Sequence, residues 1–276
     1  MPYLFIKDHK LNYADSHPEG APSGGLTFIC IHGLGSSQNY YYPVIPYLTD
    51  KHRCITFDNY GSGRSSYTGL EQSVESIAED VISIMNELRV PNAVCVGHSM
   101  GGMVVSHLAD AHPDKFLAVV AIGPVHPKSS IADIFEKRIR MVTESGMEGL
   151  ADSIPNQATG SRATNLQKAF IRELILNQTP LGYASVCKAI AHAHPPNYAG
   201  VKAPFLLIAG QEDKSAPMDG CKYIFESISS EIKKMEVLPG VGHWHCIEAG
   251  DDVGRLIAEF TAMLQAGDSG LGADYW

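Results

Sequence analysis

The stretch Val96-Gly97-His98-Ser99-Met100-Gly101-Gly102 decides how the rest of this chain is read. The apolar run Ala93-Val94-Cys95-Val96 leads into it, and apolar residues at helical spacing (Met103, Val104, Val105, Leu108) lead out. A strand, a sharp turn and a helix are expected, with Gly-x-Ser-x-Gly at the turn. A serine on so tight a turn holds a strained backbone conformation, and Gly97 and Gly101 must lack side chains where neighbouring segments come close. Such a turn puts Ser99 Oγ at the mouth of a sheet. It also aims the Met100 N–H and the helix N-terminus at a developing oxyanion. The bland alternative is a glycine-rich turn without chemistry, and the strand–turn–helix context argues against it.

Working outward, residues 2–6 and 10–15 read as short strands joined at Asp8-His9, and 26–31 and 54–57 as buried strands ending in glycine-bearing loops. Residues 73–88 show helical spacing, 93–97 and 116–122 are strands, and 101–111 is a helix stopped by Pro113. Uniformly apolar strands alternating with helices argue for a parallel sheet covered on both faces. The rhythm breaks after Gly123-Pro124. Amphipathic stretches near 130–146, 147–153, 164–177 and 181–193 follow, separated by loops such as Ile154-Pro155-Asn156. Alternation resumes with strands at 205–209 and 234–238 and helices near 217–228 and 251–264. The expectation is an α/β protein with a mostly parallel, twisted, eight-stranded sheet flanked by helices. Residues 1–124 and 200–265 form its core, 125–199 an inserted helical lid, and 266–276 a glycine-rich flexible tail.

Composition narrows the function classes. The chain of 276 residues is 45% hydrophobic and 18% charged, with 21 Lys and Arg against 30 Asp and Glu and a net charge of −9. With no basic block beyond Lys137-Arg138-Ile139-Arg140, nucleic acid is not an expected partner. No apolar run approaches membrane-spanning length, and the start lacks the pattern of a signal peptide. The six cysteines are spread along the chain, three of them in expected core strands, which suits buried free thiols in a reducing compartment. A cytoplasmic protein is expected.

A serine hydroxyl is a poor nucleophile and needs an adjacent base, itself oriented by a third group. The loop after strand 205–209 carries Glu212 and Asp213, and the loop after the last strand carries Gly242-His243-Trp244-His245-Cys246. Both follow strands, as Ser99 does, and ligands bind at the carboxyl edge of a parallel sheet. The order Ser99, Asp213, His243 suits a nucleophile, an orienting carboxylate and a proton-shuttling imidazole. Asp213 is preferred over Glu212 because it holds the Gly-x-x-Asp position at the strand end. His98 is expected to pack beside the turn and face away from Oγ. His245 with Cys246, and the pair His192-x-His194, lack further ligands at metal-binding spacing, so no metal or other cofactor is expected, and these side chains are read as solvated or touching the lid. A second oxyanion donor is sought in Ile31-His32-Gly33-Leu34-Gly35, where the Leu34 amide is the candidate. No Gly-Lys-Ser/Thr follows, so this loop is not a phosphate cradle.

Taken together, His32-Gly33, the turn 97–101 and the loops of Asp213 and His243 resemble the α/β-hydrolase superfamily over residues 2–265. Asp58-Asn59-Tyr60-Gly61-Ser62-Gly63-Arg64-Ser65 is similar to that family's Asp-x-x-Gly-x-Gly-x-Ser loop, with Asn59 or Tyr60 replacing its usual arginine. The lid most resembles the 3-oxoadipate enol-lactonases, in Arg138-Ile139, Glu144-Ser145-Gly146-Met147 and Gly182-Tyr183-Ala184 with Cys187-Lys188-Ala189-Ile190. Phe135 stands where that group often has tryptophan. The resemblance implies hydrolysis of a small-molecule lactone or ester. Alternatives are a C–C bond hydrolase on the same residues, or a slow-turnover ligand receptor of the same fold. Val125, His126 and Trp244 are candidates for lining the substrate pocket. For an anionic substrate Arg138 is the candidate cation, with Lys137 and Arg140 as rivals.

Overall fold

The computed structural model describes residues 2–267, in which three strands come first and helices separate the later ones. The flexible tail expected over 266–276 lies, from residue 268 on, outside the described residues. The strands are β1 (Tyr3–Ile6), β2 (His9–Asp15), β3 (Thr27–Ile31), β4 (Arg53–Phe57), β5 (Ala93–His98), β6 (Phe116–Ile122), β7 (Phe205–Gly210) and β8 (Lys233–Leu238). The helices are α1 (Val74–Glu87), α2 (Met100–Ala111), α3 (Ser129–Ser145), α4 (Glu148–Gln157), α5 (Asn165–Leu176), α6 (Pro180–Ala191), α7 (Met218–Ser227), the single turn α8 (His245–Glu248) and α9 (Gly250–Gln265).

One sheet runs in the order β1-β2-β4-β3-β5-β6-β7-β8. The pairs β1–β2 and β2–β4 are antiparallel, and every other pair is parallel. Alternate residues of the central strands feed two separate cores, because successive side chains of a strand point to opposite faces. Ile29, Ile31, Cys95 and Val119 pack with Val81 and Ile84 of α1 and Val104 of α2. Phe28, Cys30, Val94, Val96 and Val120 pack on the other face with Val253, Ile257 and Phe260 of α9. Each such aliphatic side chain contributes roughly 1.5–3 kcal/mol by leaving water, so this double burial defines the sheet. Continuously apolar strands are therefore the signature of its centre.

Register aligns the ends that matter. Gly97 pairs with Ala121, Ile122 with Ile208, and Gly210 with Leu238. The loops leaving β5, β6, β7 and β8 therefore emerge along one carboxyl rim.

Between β6 and β7 the chain makes the four helices α3–α6 before returning to the sheet. Thr164 and Gln167 cap the start of α5 reciprocally, and the Thr179 side chain with Pro180 opens α6. The expected loop at Ile154-Pro155-Asn156 is instead the last turn of α4. Proline there removes only one intrahelical donor. The turn is closed by the Ala158 amide on the Ile154 carbonyl (2.9 Å) and the Thr159 hydroxyl on the Pro155 carbonyl (2.6 Å).

All six cysteines are free and buried: Cys30, Cys54 and Cys95 in β3, β4 and β5, and Cys187, Cys221 and Cys246 in α6, α7 and α8. Among the described residues no helix is long and apolar enough to cross a membrane.

Candidate active site

Ser99 sits at φ 57°, ψ −113°, in the left-handed region that a side chain rarely adopts. The glycines around it are steric necessities. A Cβ on Gly97 would run into the Gly101 carbonyl, and one on Gly101 into the Ile31 carbonyl. A third close approach comes from the neighbouring loop, where a Cβ on Gly33 would stand 2.8 Å from Ser99 Cβ.

The loops after β5, β7 and β8 bring three side chains into line. The Ser99 hydroxyl donates to His243 Nε2 at 2.9 Å, and His243 Nδ1–H donates to Asp213 Oδ2 at 2.8 Å. Those partners set the imidazole's tautomer. The second Asp213 oxygen accepts the Ser215 and Ala216 amides, both at 2.8 Å. Burial opposes the Asp213 charge, but His243, its hydrogen bond, His245 and the amides outweigh burial and hold the carboxyl below its usual range. Glu212, the sequence rival, is exposed and takes the Ser161 amide and hydroxyl instead.

His98 does turn away from Oγ. Its Nε2–H donates to the His243 carbonyl (2.8 Å) while its ring stacks on Tyr40 at 4.1 Å. His245 is not solvated. It is fully buried against Gly123, donates from Nδ1 to the same His243 carbonyl (2.9 Å), and holds Nε2 3.9 Å from Asp213 Oδ2. His192 and His194 are exposed, and among the described residues no cluster of His, Cys, Asp or Glu could hold a metal ion.

The backbone amides of Leu34 and Met100, residues that line one cavity with Ser99, have no backbone acceptor among the described residues. The Leu34 loop is set by His32. Its Nδ1–H donates to the Gly33 carbonyl (2.8 Å) and its Nε2 accepts the Asn59 amide (3.0 Å). Asn59 in turn belongs to the loop that Asp58 ties down through the Gln38 and Arg64 amides.

Beside Ser99 lies a cavity of about 210 Å³, lined by Leu34, Met100 and Val125 and by residues of α3, α4, α5 and α6. Trp244 lines it while almost wholly buried against Tyr40 and His98. Of the three basic residues on α3, only Arg138 enters the cavity. Its guanidinium lies 5.4 Å from the centre of the Phe135 ring and is absent from the arginine–carboxylate pairs of the described residues. Lys137 and Arg140 are exposed on the outside of the helix. Lys214, which the sequence reading did not single out, supplies a second cation to the lining. His126 departs from expectation. It packs on Tyr223 (4.5 Å) and bonds the Tyr198 hydroxyl (3.1 Å), and it is not among the residues that line the cavity.

A family described as the alpha/beta hydrolase fold matches residues 27–250. The chain belongs to that family. Within it, the 3-oxoadipate enol-lactonase 2 of Acinetobacter baylyi is 27% identical over 229 residues, 82% of this chain and 84% of that protein. The karrikin insensitive 2 receptor CA of Petunia hybrida is 34% identical over 105 residues, 37% of this chain and 39% of that one. Among solved structures, the enol-lactonase from Burkholderia xenovorans LB400 superposes with a TM-score of 0.85 at 24% identity, over 95% of this chain and 100% of that chain. At that identity the likeness speaks to the fold.

The buried imidazoles give this α/β-hydrolase a defined acid sensitivity. Burial lowers the His32 pKa, and it lowers those of His98 and His245 with help from neighbouring imidazoles; His245 falls to about 4. Below the unfolded value of 6.5 the unfolded chain binds protons that the folded chain refuses, so stability falls as pH drops. For His245 alone the loss by pH 4 amounts to about 3 kcal/mol. Denaturant midpoints are expected to fall steadily from about pH 7 to about pH 5, and a flat profile would contradict the neutral, buried state.

Proposed function

We propose that this α/β-hydrolase cleaves a lactone or carboxylic ester through an acyl-enzyme on Ser99. The observation that carries the reading is the hydrogen-bonded line Ser99–His243–Asp213 opening on the cavity. Ser99 Oγ attacks the carbonyl carbon as His243 Nε2 takes its proton, and Asp213 stabilises the imidazolium. The carbonyl oxygen, now negative, is received by the Leu34 and Met100 amides at the start of α2. Collapse expels the alkoxide, protonated by His243. Water, deprotonated by the same imidazole, then releases the acid and restores Ser99. For a lactone the expelled oxygen stays tethered to the acyl group until that second half. Nucleophile, base and donors all come from the chain, so the reaction calls for no cofactor.

The helices α3–α6 act in this reading as a lid that excludes water and shapes the acyl site. The likeness to enol-lactonases and the cations Arg138 and Lys214 in a chain of net charge −9 support a substrate bearing a carboxylate. Arg138→Ala is expected to raise KM for an anionic lactone roughly 10- to 100-fold, the worth of a charge-assisted hydrogen bond, and far less for a neutral ester. Equal effects on both substrates would remove Arg138 from this role. We place the enzyme in the cytoplasm as a monomer or homodimer, a setting supported by its six free thiols.

A panel of lactones, p-nitrophenyl esters and β-diketones, with products identified and Ser99→Ala as control, tests the proposal. Acid and alcohol from lactone or ester support it, while cleavage confined to the diketones would make it a C–C hydrolase. The receptor relative favours one other outcome, a wild type that binds lactone yet turns over no faster than the control.

A further inference from the structure

The backbone around His243 is held from an unexpected side. Its N–H donates to the carbonyl of Ala158, in the segment between α4 and α5, at 2.7 Å. The amides on either side of it, Gly242 and Trp244, both donate to the carboxylate of Glu248, at 2.9 Å each. The same carboxylate takes a third amide, that of Gly160 from the inserted helices, at 2.7 Å. Glu248 is 4% exposed and forms no ion pair with a Lys or Arg among the described residues, so these three amides are what hold its charge in place. Two glycines let the segments touch backbone to backbone. A Cβ on Gly242 would meet the Ala158 carbonyl oxygen at 2.7 Å, and one on Gly160 would meet the Gly242 nitrogen at 2.7 Å and run into the Gly240 carbonyl. Around this contact the Arg162 amide bonds the Gly240 carbonyl (3.0 Å), and Gln167 bonds the Ile247 carbonyl (2.6 Å).

We propose that Glu248 is a positioning residue, its carboxylate fastening residues 158–160 to both amides flanking His243 so that the imidazole is aimed at Ser99 only while that segment is docked. The inference rests on the Ser99–His243–Asp213 reading and adds to it a dependence of the base on the inserted helices. Ala158 and Ile154 also line the cavity, so a bound ligand touches the segment that holds the histidine. The chemistry demands a carboxylate. Three amide donors need acceptors only, and a glutamine there would turn its NH2 on one of them, leaving a buried N–H without a partner.

The test uses the full chain with Glu248→Gln and Gly160→Ala, neither of which alters Ser99, His243 or Asp213. Both are compared with wild type for p-nitrophenyl ester turnover across pH, for the rate of fluorophosphonate labelling, and for thermal unfolding. For each variant kcat is expected to fall 10- to 100-fold with KM within about threefold, and labelling to slow by the same factor. The groups facing the His243 imidazole are Asp213, His98, Ser99, His245 and, beneath its backbone, Glu248, with Lys214 in the lining of the same cavity. Removing the Glu248 charge is expected to move the acid limb of kcat/KM to lower pH, since a nearby negative charge favours the imidazolium. Gly160→Ala keeps that charge and is expected to leave the limb in place, a distinction that loss of packing alone would not produce. Wild-type kcat and acid limb in Glu248→Gln overturn the proposal. If that variant does not fold, wild-type kcat in Gly160→Ala overturns it. A wild type that neither turns over ester nor takes label at Ser99 overturns the underlying reading instead, and the two failures are thereby separate.

Discussion

Ser99→Ala is expected to lower kcat roughly 10⁴- to 10⁶-fold while leaving the fold intact. The magnitude follows from what remains. On the proposed mechanism the substitution deletes the attacking atom but keeps His243, Asp213 and the Leu34 and Met100 amides, so the residual rate is that of water beside the same proposed donors. Folding should tolerate the change because Ser99 Oγ bonds only His243 Nε2 and alanine keeps the Cβ, losing only a hydroxyl that borders the cavity. A fluorophosphonate probe is expected to label wild type once, at Ser99, and the variant not at all. Label on another serine, or turnover within tenfold of wild type, would sink the assignment.

Asp213→Asn is expected to cost about 10³- to 10⁴-fold in kcat with almost no change in stability. The asparagine oxygen can keep the Ser215 and Ala216 amides that Oδ1 holds now, which leaves its NH2 in the place of Oδ2. That group donates to His243 Nδ1 and drives the ring's proton to Nε2. The imidazole then donates towards Ser99 where it should accept. Glu212→Gln, by contrast, is expected to cost at most a few-fold, because Glu212 faces solvent and Ser161. The kcat of both variants, with unfolding midpoints as the check on folding, decides between the two neighbouring carboxylates. A larger loss in Glu212→Gln than in Asp213→Asn would reverse the choice.

What the sequence made legible was what depends on nearest neighbours and on burial. Continuous apolar runs marked β3, β5, β6 and β7 because a strand covered on both faces has no polar side to display. The meeting of Ser99, Asp213 and His243 followed from their shared place after parallel strands, since parallel strands end on the same rim. Partners set by long-range packing were not legible. Nothing local in Trp244-His245-Cys246-Ile247-Glu248 says that Glu248 reaches Gly160, 88 positions away, or that His245 turns inward to Gly123. His126 is a candidate for the pocket lining from the sequence, yet its direction depends on Tyr198 and Tyr223, which come from two other parts of the chain. Ile154-Pro155-Asn156 reads locally as a loop, and the Thr159 hydroxyl that helps close the helical turn there lies four residues beyond Pro155.

The six sequestered thiols give this molecule built-in clocks. Burial pushes the Cys54, Cys187 and Cys221 pKa values up to about 12, and the other three sit higher still, so an alkylating reagent meets neither an accessible sulfur nor a thiolate. Modification then waits on local opening. Cys187 reports on α6 and Cys95 on the central strand, so their relative modification rates reveal whether the roof over the cavity breathes apart from the sheet beneath it.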